Sequence, residues 1–186
     1  MKSYLLPICT FFLLTQAISQ NNYQETQLGI KIINEYNENF EFAFGLQSVF
    51  RIKKHAGMET GLYYKPRRMT LLANSAPDIY IINISDRSLQ LPIWYRFDSK
   101  KLNFLCGPVI EYFLGWKNKT NNPNVTIYDY NREPKTRLAI SAGITKTIRI
   151  NNTIIVEPEL RANFFTDSEQ PDFGINIAFR KRMKKG

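Results

Sequence analysis

"LQLPIWYRFDSKKLNFLCGPVIEYFLGW", residues 89–116, is apolar at every second position from Leu89 through Leu91, Ile93 and Tyr95 to Phe97. Four polar residues, Asp98 to Lys101, interrupt the pattern. It then resumes with Phe104, Cys106, Ile110 and Tyr112 on one side. Two alternating runs joined by a tight polar turn read as a β-hairpin. Alternation alone does not say whether the apolar side fills a core or faces an apolar solvent, and that choice decides what the protein can do.

Working outward, six more stretches alternate in the same way, and none shows a helical period. They lie near Gln27 to Tyr36, Phe40 to Ile52, from Gly57 onward, and over 137–149, 153–165 and 172–180. Together with the opening hairpin they make eight strands. "KKHA" (53–56), "DSKK" (98–101) and "RINN" (149–152) are tight connections, whereas 117–135 is long. The first connection, near 37–39, is short as well. Short turns gathered at one end and long loops at the other describe an up-and-down barrel of outer-membrane type.

The glycines say which face is inside. The chain has nine. Gly29, Gly45, Gly57, Gly61, Gly107, Gly115, Gly143 and Gly174 all fall on the polar parity of their strands, with Gln27, Lys31, Glu41, Gln47 and Arg180. The opposite parity carries the bulky Leu, Ile, Phe and Tyr residues. An eight-stranded barrel has an interior only just wide enough for side chains to fill. Bulky groups would overfill it, while glycines and paired charges fit. The apolar side therefore points outward, where only lipid tolerates it. The expected fold is all-β: an eight-stranded antiparallel up-and-down transmembrane β-barrel with a polar, side-chain-filled interior. A soluble lipocalin-like barrel or sandwich is the alternative. Pro66, Pro92, Pro108 and Pro158 lie within strands and each removes a ladder donor, so bulges or bends are expected there. The apolar parity also changes between Ile84 and Leu89, which makes 79–85 a strand extension or loop arm outside the bilayer.

Residues 1–19 read as a signal peptide: Lys2, an apolar run from Tyr4 to Leu14, then Ala17-Ile18-Ser19. The run is too short to span a membrane. Residues 20–186 form one barrel domain, destined for the outer membrane after export. It would retain Cys106 alone, so no intramolecular disulfide forms. The net charge is +9, with basic residues concentrated in "RKRMKKG". That distribution is too diffuse for a nucleic-acid footprint and suits anionic lipid headgroups.

Arg51, Glu59, Arg96, Glu111, Arg137, Glu157, Glu159 and Arg161 share the inward parity and are expected to form an interior ionic cluster. Glu157 and Glu159 could also be read as a paired acid and base, but Arg161 on the same face makes a structural ion cluster the stronger reading. Lys65, Arg67, Arg68, Lys117 and Lys119, near the outer strand ends, are candidate lipopolysaccharide contacts. Tyr64, Tyr95, Phe97, Tyr112 and Trp116 suit interfacial girdles. His55, the sole histidine, falls in a tight turn, away from any Ser-His pairing expected of an outer-rim lipase. No residue set has metal-ligand spacing. No catalytic residue, metal or cofactor is expected.

"GMETGLYYKPR" (57–67), "LQLPIWYRF" (89–97), "FLCGPVIEYFLGW" (104–116) and "IIVEPELRANFF" (154–165) occur in an order that resembles the PorT-like family of small outer-membrane β-barrels of Bacteroidota-type bacteria. The last strand, with Gly174, Ile177 and Phe179, is similar to a terminal signal for outer-membrane insertion, although the chain continues past Phe179. The resemblance covers the whole segment after residue 19 and rests on short structural motifs. It bears on fold more than activity, and links the chain to secretion and gliding only through the family's named member. Because eight strands leave no aqueous channel, a non-enzymatic envelope protein, structural or docking in role, is expected. Its partners would be outer-membrane lipid, lipopolysaccharide and an envelope protein met through loops 66–88 and 117–135. An outer-membrane enzyme that modifies lipid and a soluble ligand carrier are the alternatives.

Overall fold

A computed structural model describes residues 25–37, 39–75, 78–119, 135–168 and 170–183. The proposed signal peptide, residues 1–19, and the centre of the 117–135 loop lie outside the described residues. The strands are β1 (Glu25–Asn37), β2 (Asn39–Lys53), β3 (Ala56–Ser75), β4 (Asp78–Asp98), β5 (Asn103–Asn118), β6 (Thr136–Thr145), β7 (Ile148–Arg149), β8 (Ile154–Phe165) and β9 (Asp172–Met183). Each pairs antiparallel with its neighbours, and β1 pairs with β9 from Thr26–Met183 to Tyr36–Phe173. The sheet therefore closes on itself and leaves no barrel edge open.

Nine strands make eight staves, because β6 and β7 both pair with β8. Their partners fall in one continuous register: Thr145 lies opposite Glu159 and Ile148 opposite Val156. The stave breaks opposite Pro158, which has no N–H to give the ladder. Its carbonyl still accepts from the Lys146 amide at 3.2 Å and the Thr145 hydroxyl at 2.8 Å. The in-strand prolines thus do not produce the expected bulges. Pro92 lies where the β3–β4 ladder skips from Thr60–Ile93 to Tyr63–Gln90, and the register on either side is unchanged. Pairing of β2 with β3 ends at Phe44–Tyr64, just short of Pro66.

The bulge within the long strands has another origin. Ser88 lies opposite Phe113, but Arg87 lies opposite Gly115, so Leu114 is an extra residue in β5. Gly115 has φ of 139°, a conformation side-chain-bearing residues rarely adopt. Beyond this point the parity of β5 is reversed. Gly115 leaves the inward side that its place in the sequence suggests, and Trp116 turns inward opposite the buried Asp86. Trp116 is therefore not part of an outer aromatic girdle.

The faces divide by polarity as the alternation requires. Ile30, Phe42, Phe44, Leu46, Ile140, Leu160, Phe164 and Ile175 are exposed on the outside, while Lys31, Glu59, Arg96, Glu157 and Arg161 are buried inside. This arrangement excludes a soluble barrel with an apolar core. β3 and β4 stay paired out to Ser75–Asp78, well past the end of the β2–β3 ladder. Residues 66–88 are accordingly a hairpin arm for most of their length and not a loop. The apolar parity of β4 does change between Ile84 and Leu89, without a break in the strand. Ile82 and Ile84 keep the same buried side as Asp86, Ser88 and Gln90; the inward face merely becomes apolar beyond Asp86.

Candidate functional site

Strand alternation delivers one inward side chain per two residues from every stave, and these meet in two tiers. The tier nearer the tight turns centres on Glu59, Glu157 and Glu159. Lys31 donates to Glu59 at 3.1 Å and to Glu159 at 2.5 Å. The Arg96 guanidinium reaches Glu59 at 2.9 Å, Glu157 at 2.8 Å and Asp98 at 2.6 Å. Arg180 donates to Glu157 and, at 3.4 Å, to Glu59. Arg161 donates to Glu159 at 2.7 Å, and Asn176 donates to the same oxygen at 2.9 Å. Asn103 and Thr147, the latter from the break in the sixth stave, complete the shell of Glu157 at 3.2 and 2.6 Å. Arg51, half-buried at the rim, pairs with Asp98 at 3.1 Å.

Trp94 lies within this tier, with Lys31 4.7 Å and Arg161 4.0 Å from its ring centroid. Cations on an aromatic face gain most where water is excluded. Above it, Tyr63 occupies space that glycines leave open: a Cβ on Gly45 or Gly61 would come within 2.6 Å of its ring. The interior glycines are thus room for large polar side chains, which explains why they share the charged parity.

The second tier lies toward the long arm. Glu35 accepts from Lys65 and, at 2.7 Å, from Asn163. Lys65 also approaches Asp172 at 3.6 Å. Gln90 donates to Glu111 at 2.9 Å, Arg137 lies 3.8 Å from Glu111, and Arg137 donates to Asp167 at 2.8 Å. The Arg137 guanidinium covers the Phe165 ring at 4.1 Å.

The eight residues expected in one cluster therefore fall in two tiers, Arg51, Glu59, Arg96, Glu157, Glu159 and Arg161 in the first, Glu111 and Arg137 in the second. Sequence reasoning placed Lys31 and Arg180 on the inward parity without assigning them to the cluster, and passed over Trp94. As the aromatic that interrupts the polar parity of β4, Trp94 was the available signal. Glu157 and Glu159 are surrounded by cationic and amide donors, which leaves neither oriented toward a substrate as a proton carrier would be.

The candidate lipopolysaccharide contacts separate as well. Lys65 is buried and bound to Glu35 and Asp172, so it faces the barrel axis and not lipid. Arg67 lies opposite Asp86, on the same inward parity. Arg68, Lys117 and Lys119 are exposed. His55 is exposed in its turn, with Nδ1 2.8 Å from the Asp98 carbonyl oxygen. Among the described residues no group of three His, Cys, Asp or Glu side chains could hold a metal ion.

A closed antiparallel barrel with a charged interior and an apolar exterior defines the class: a small transmembrane β-barrel of outer-membrane type. Among solved structures, the chain resembles the outer membrane protein OprG from Pseudomonas aeruginosa, with a TM-score of 0.52 at 7% identity over 87% of this chain and 95% of that one. The Yersinia pestis outer membrane protein Ail in a phospholipid bilayer nanodisc gives 0.49 at 11% identity, over 84% and 98%. The N-terminal β-barrel domain of Pseudomonas aeruginosa OprF gives 0.46 at 8% identity, over 84% and 97%. The likeness to OprG shows the fold. No protein-family model matches the chain, and no curated protein matches it by sequence.

Proposed function

We propose that this protein is a non-enzymatic barrel of the outer membrane, a structural or docking component of the envelope that works through its β3–β4 arm and the 117–135 connection. The observation that carries the reading is the division of labour along the barrel axis. The interior is occupied by paired charges, as suits an eight-stranded barrel without an aqueous channel. A paired hairpin projects at the other end, where the chain has surface to offer a partner. The PorT-like resemblance, with its link to secretion, fits a docking role. The lipid-modifying alternative has no comparable support, since the exposed His55 lies at the tight-turn rim.

Two measurements test the proposal. In planar bilayers the purified barrel should show no steady porin-sized conductance steps; their appearance would replace docking with diffusion. Pull-down from intact cells should recover an envelope protein with the full chain and lose it when residues 69–82 are replaced by a short turn. Equal recovery from both chains would remove the arm from the mechanism.

A further inference from the structure

The β5 bulge does more than invert Trp116. It sets three successive rows of outward positions across β3, β4 and β5. The register gives Pro66–Arg87–Gly115, then Arg68–Ser85–Lys117, then Thr70–Asn83–Lys119. Were Leu114 to pair in regular register instead of bulging, Lys117 and Lys119 would lie on the inward parity. Four of these nine positions are cationic and none is acidic. The row beneath is Tyr64–Leu89–Tyr112, where the aromatic and apolar belt ends.

Arg87 is the innermost of the four. It is half-buried, and its Nε is sealed from water without a hydrogen-bond acceptor. Gly115 beside it leaves space: a Cβ there would lie 3.6 Å from an Arg87 guanidinium nitrogen. Among the described residues, Arg68, Arg87, Lys117 and Lys119 make no ion pair. Strands lie about 4.8 Å apart and residues rise about 3.4 Å along each. Arg68 and Lys117 are therefore roughly 10 Å apart, with Arg87 one row below and between them. That spread of anchoring points gives two phosphoryl groups on one headgroup separate cationic partners.

We propose that this outer face binds the headgroup of a bisphosphorylated glycolipid of the membrane's outer leaflet, with Arg68, Arg87, Lys117 and Lys119 holding its phosphates. The ligand is lipid because the cations continue directly from the acyl-facing belt: acyl chains lie against the Tyr64–Leu89–Tyr112 row while phosphates meet the rows above. Arginine forks and lysine ammoniums both suit phosphate oxygens. The proposal rests on the outer-membrane reading above for the identity of that leaflet.

Native mass spectrometry of the detergent-solubilised barrel, with bisphosphorylated lipid A as probe, tests it. The variant Arg68→Gln/Arg87→Gln/Lys117→Gln/Lys119→Gln should bind at least about tenfold more weakly than the unaltered protein, as should dephosphorylated lipid A to the unaltered protein. Lys53→Gln/Lys54→Gln/Lys100→Gln/Lys101→Gln removes as many exposed charges at the opposite rim and should bind within about twofold. Should the first variant fail to fold, judged by heat-dependent gel mobility, Lys117→Glu/Lys119→Glu alters only exposed side chains and should weaken binding in the same direction. Equal binding by the outer-face variant, equal loss in the opposite-rim variant, or equally tight binding of free pyrophosphate would overturn the proposal. Insertion into liposomes is scored separately. A barrel that inserts yet fails these comparisons refutes the lipid site alone, and one that folds but stays out of liposomes refutes the membrane reading.

Discussion

Ile140 and Ser141 are neighbours in the chain and belong to different solvents. Ile140 is 64% exposed on the outer wall of the barrel, and Ser141 is 2% exposed in its charged interior. The same contrast runs through every stave. The inner face is packed with fixed ion pairs whose members depend on one another, while the outer face is a set of apolar side chains whose neighbour is fluid. A substitution should therefore act through mutual dependence inside and through simple transfer outside.

The largest effect is expected where one inner cation serves several carboxylates. Arg96→Met strips Glu59, Glu157 and Asp98 of a shared donor. Removing one partner of a buried pair costs about 3–5 kcal/mol, because the abandoned charge stays buried. Urea unfolding in lipid bilayers should show a loss of that size, and a loss below about 1 kcal/mol would mean water reaches the network. Next comes a charge placed on the outer wall. Ile140→Arg should cost about 2–4 kcal/mol if this position lies near the bilayer midplane; a neutral result would place it in water.

A smaller loss, about 1–3 kcal/mol, is expected for Gly61→Ala, whose new methyl group would meet the Tyr63 ring and the Leu46 carbonyl at 2.6 and 2.7 Å. The matching change outside, Ile140→Ala, should fall below all of these because lipid closes over the missing atoms where a packed core could not. If Ile140→Ala cost as much as Gly61→Ala, the difference between the two faces would disappear. Equilibrium unfolding of the pair under identical conditions makes that comparison.

Much of this contrast was legible in the sequence, for a physical reason. Period-two alternation is a local property, and a narrow barrel must put small and charged residues at its axis, so Gly45, Gly61, Glu59 and Arg161 announced the inside. Three features were not legible. The extra residue at Leu114 reverses every later side chain of β5, and only pairing with β4 reveals it. Lys65 lies beside Arg67 and Arg68 in a run that looks like a basic rim, but carboxylates on other strands, Glu35 and Asp172, hold it inward. Pro158 removes one ladder donor yet leaves the register intact, because the pairs on either side already fix it. Each depends on a neighbour distant in the chain.

Cys106 offers the most direct test of which face meets lipid. It is free and exposed on the outward side of β5, between Phe104 and Pro108. A nitroxide attached there, in a chain trimmed to residues 20–186 so that Cys9 is absent and reconstituted in liposomes, reports collisions with oxygen or with a water-soluble nickel chelate. The membrane-facing exterior predicts frequent collisions with oxygen and few with the chelate. Ready collision with the chelate, in a folded and inserted barrel, would contradict it.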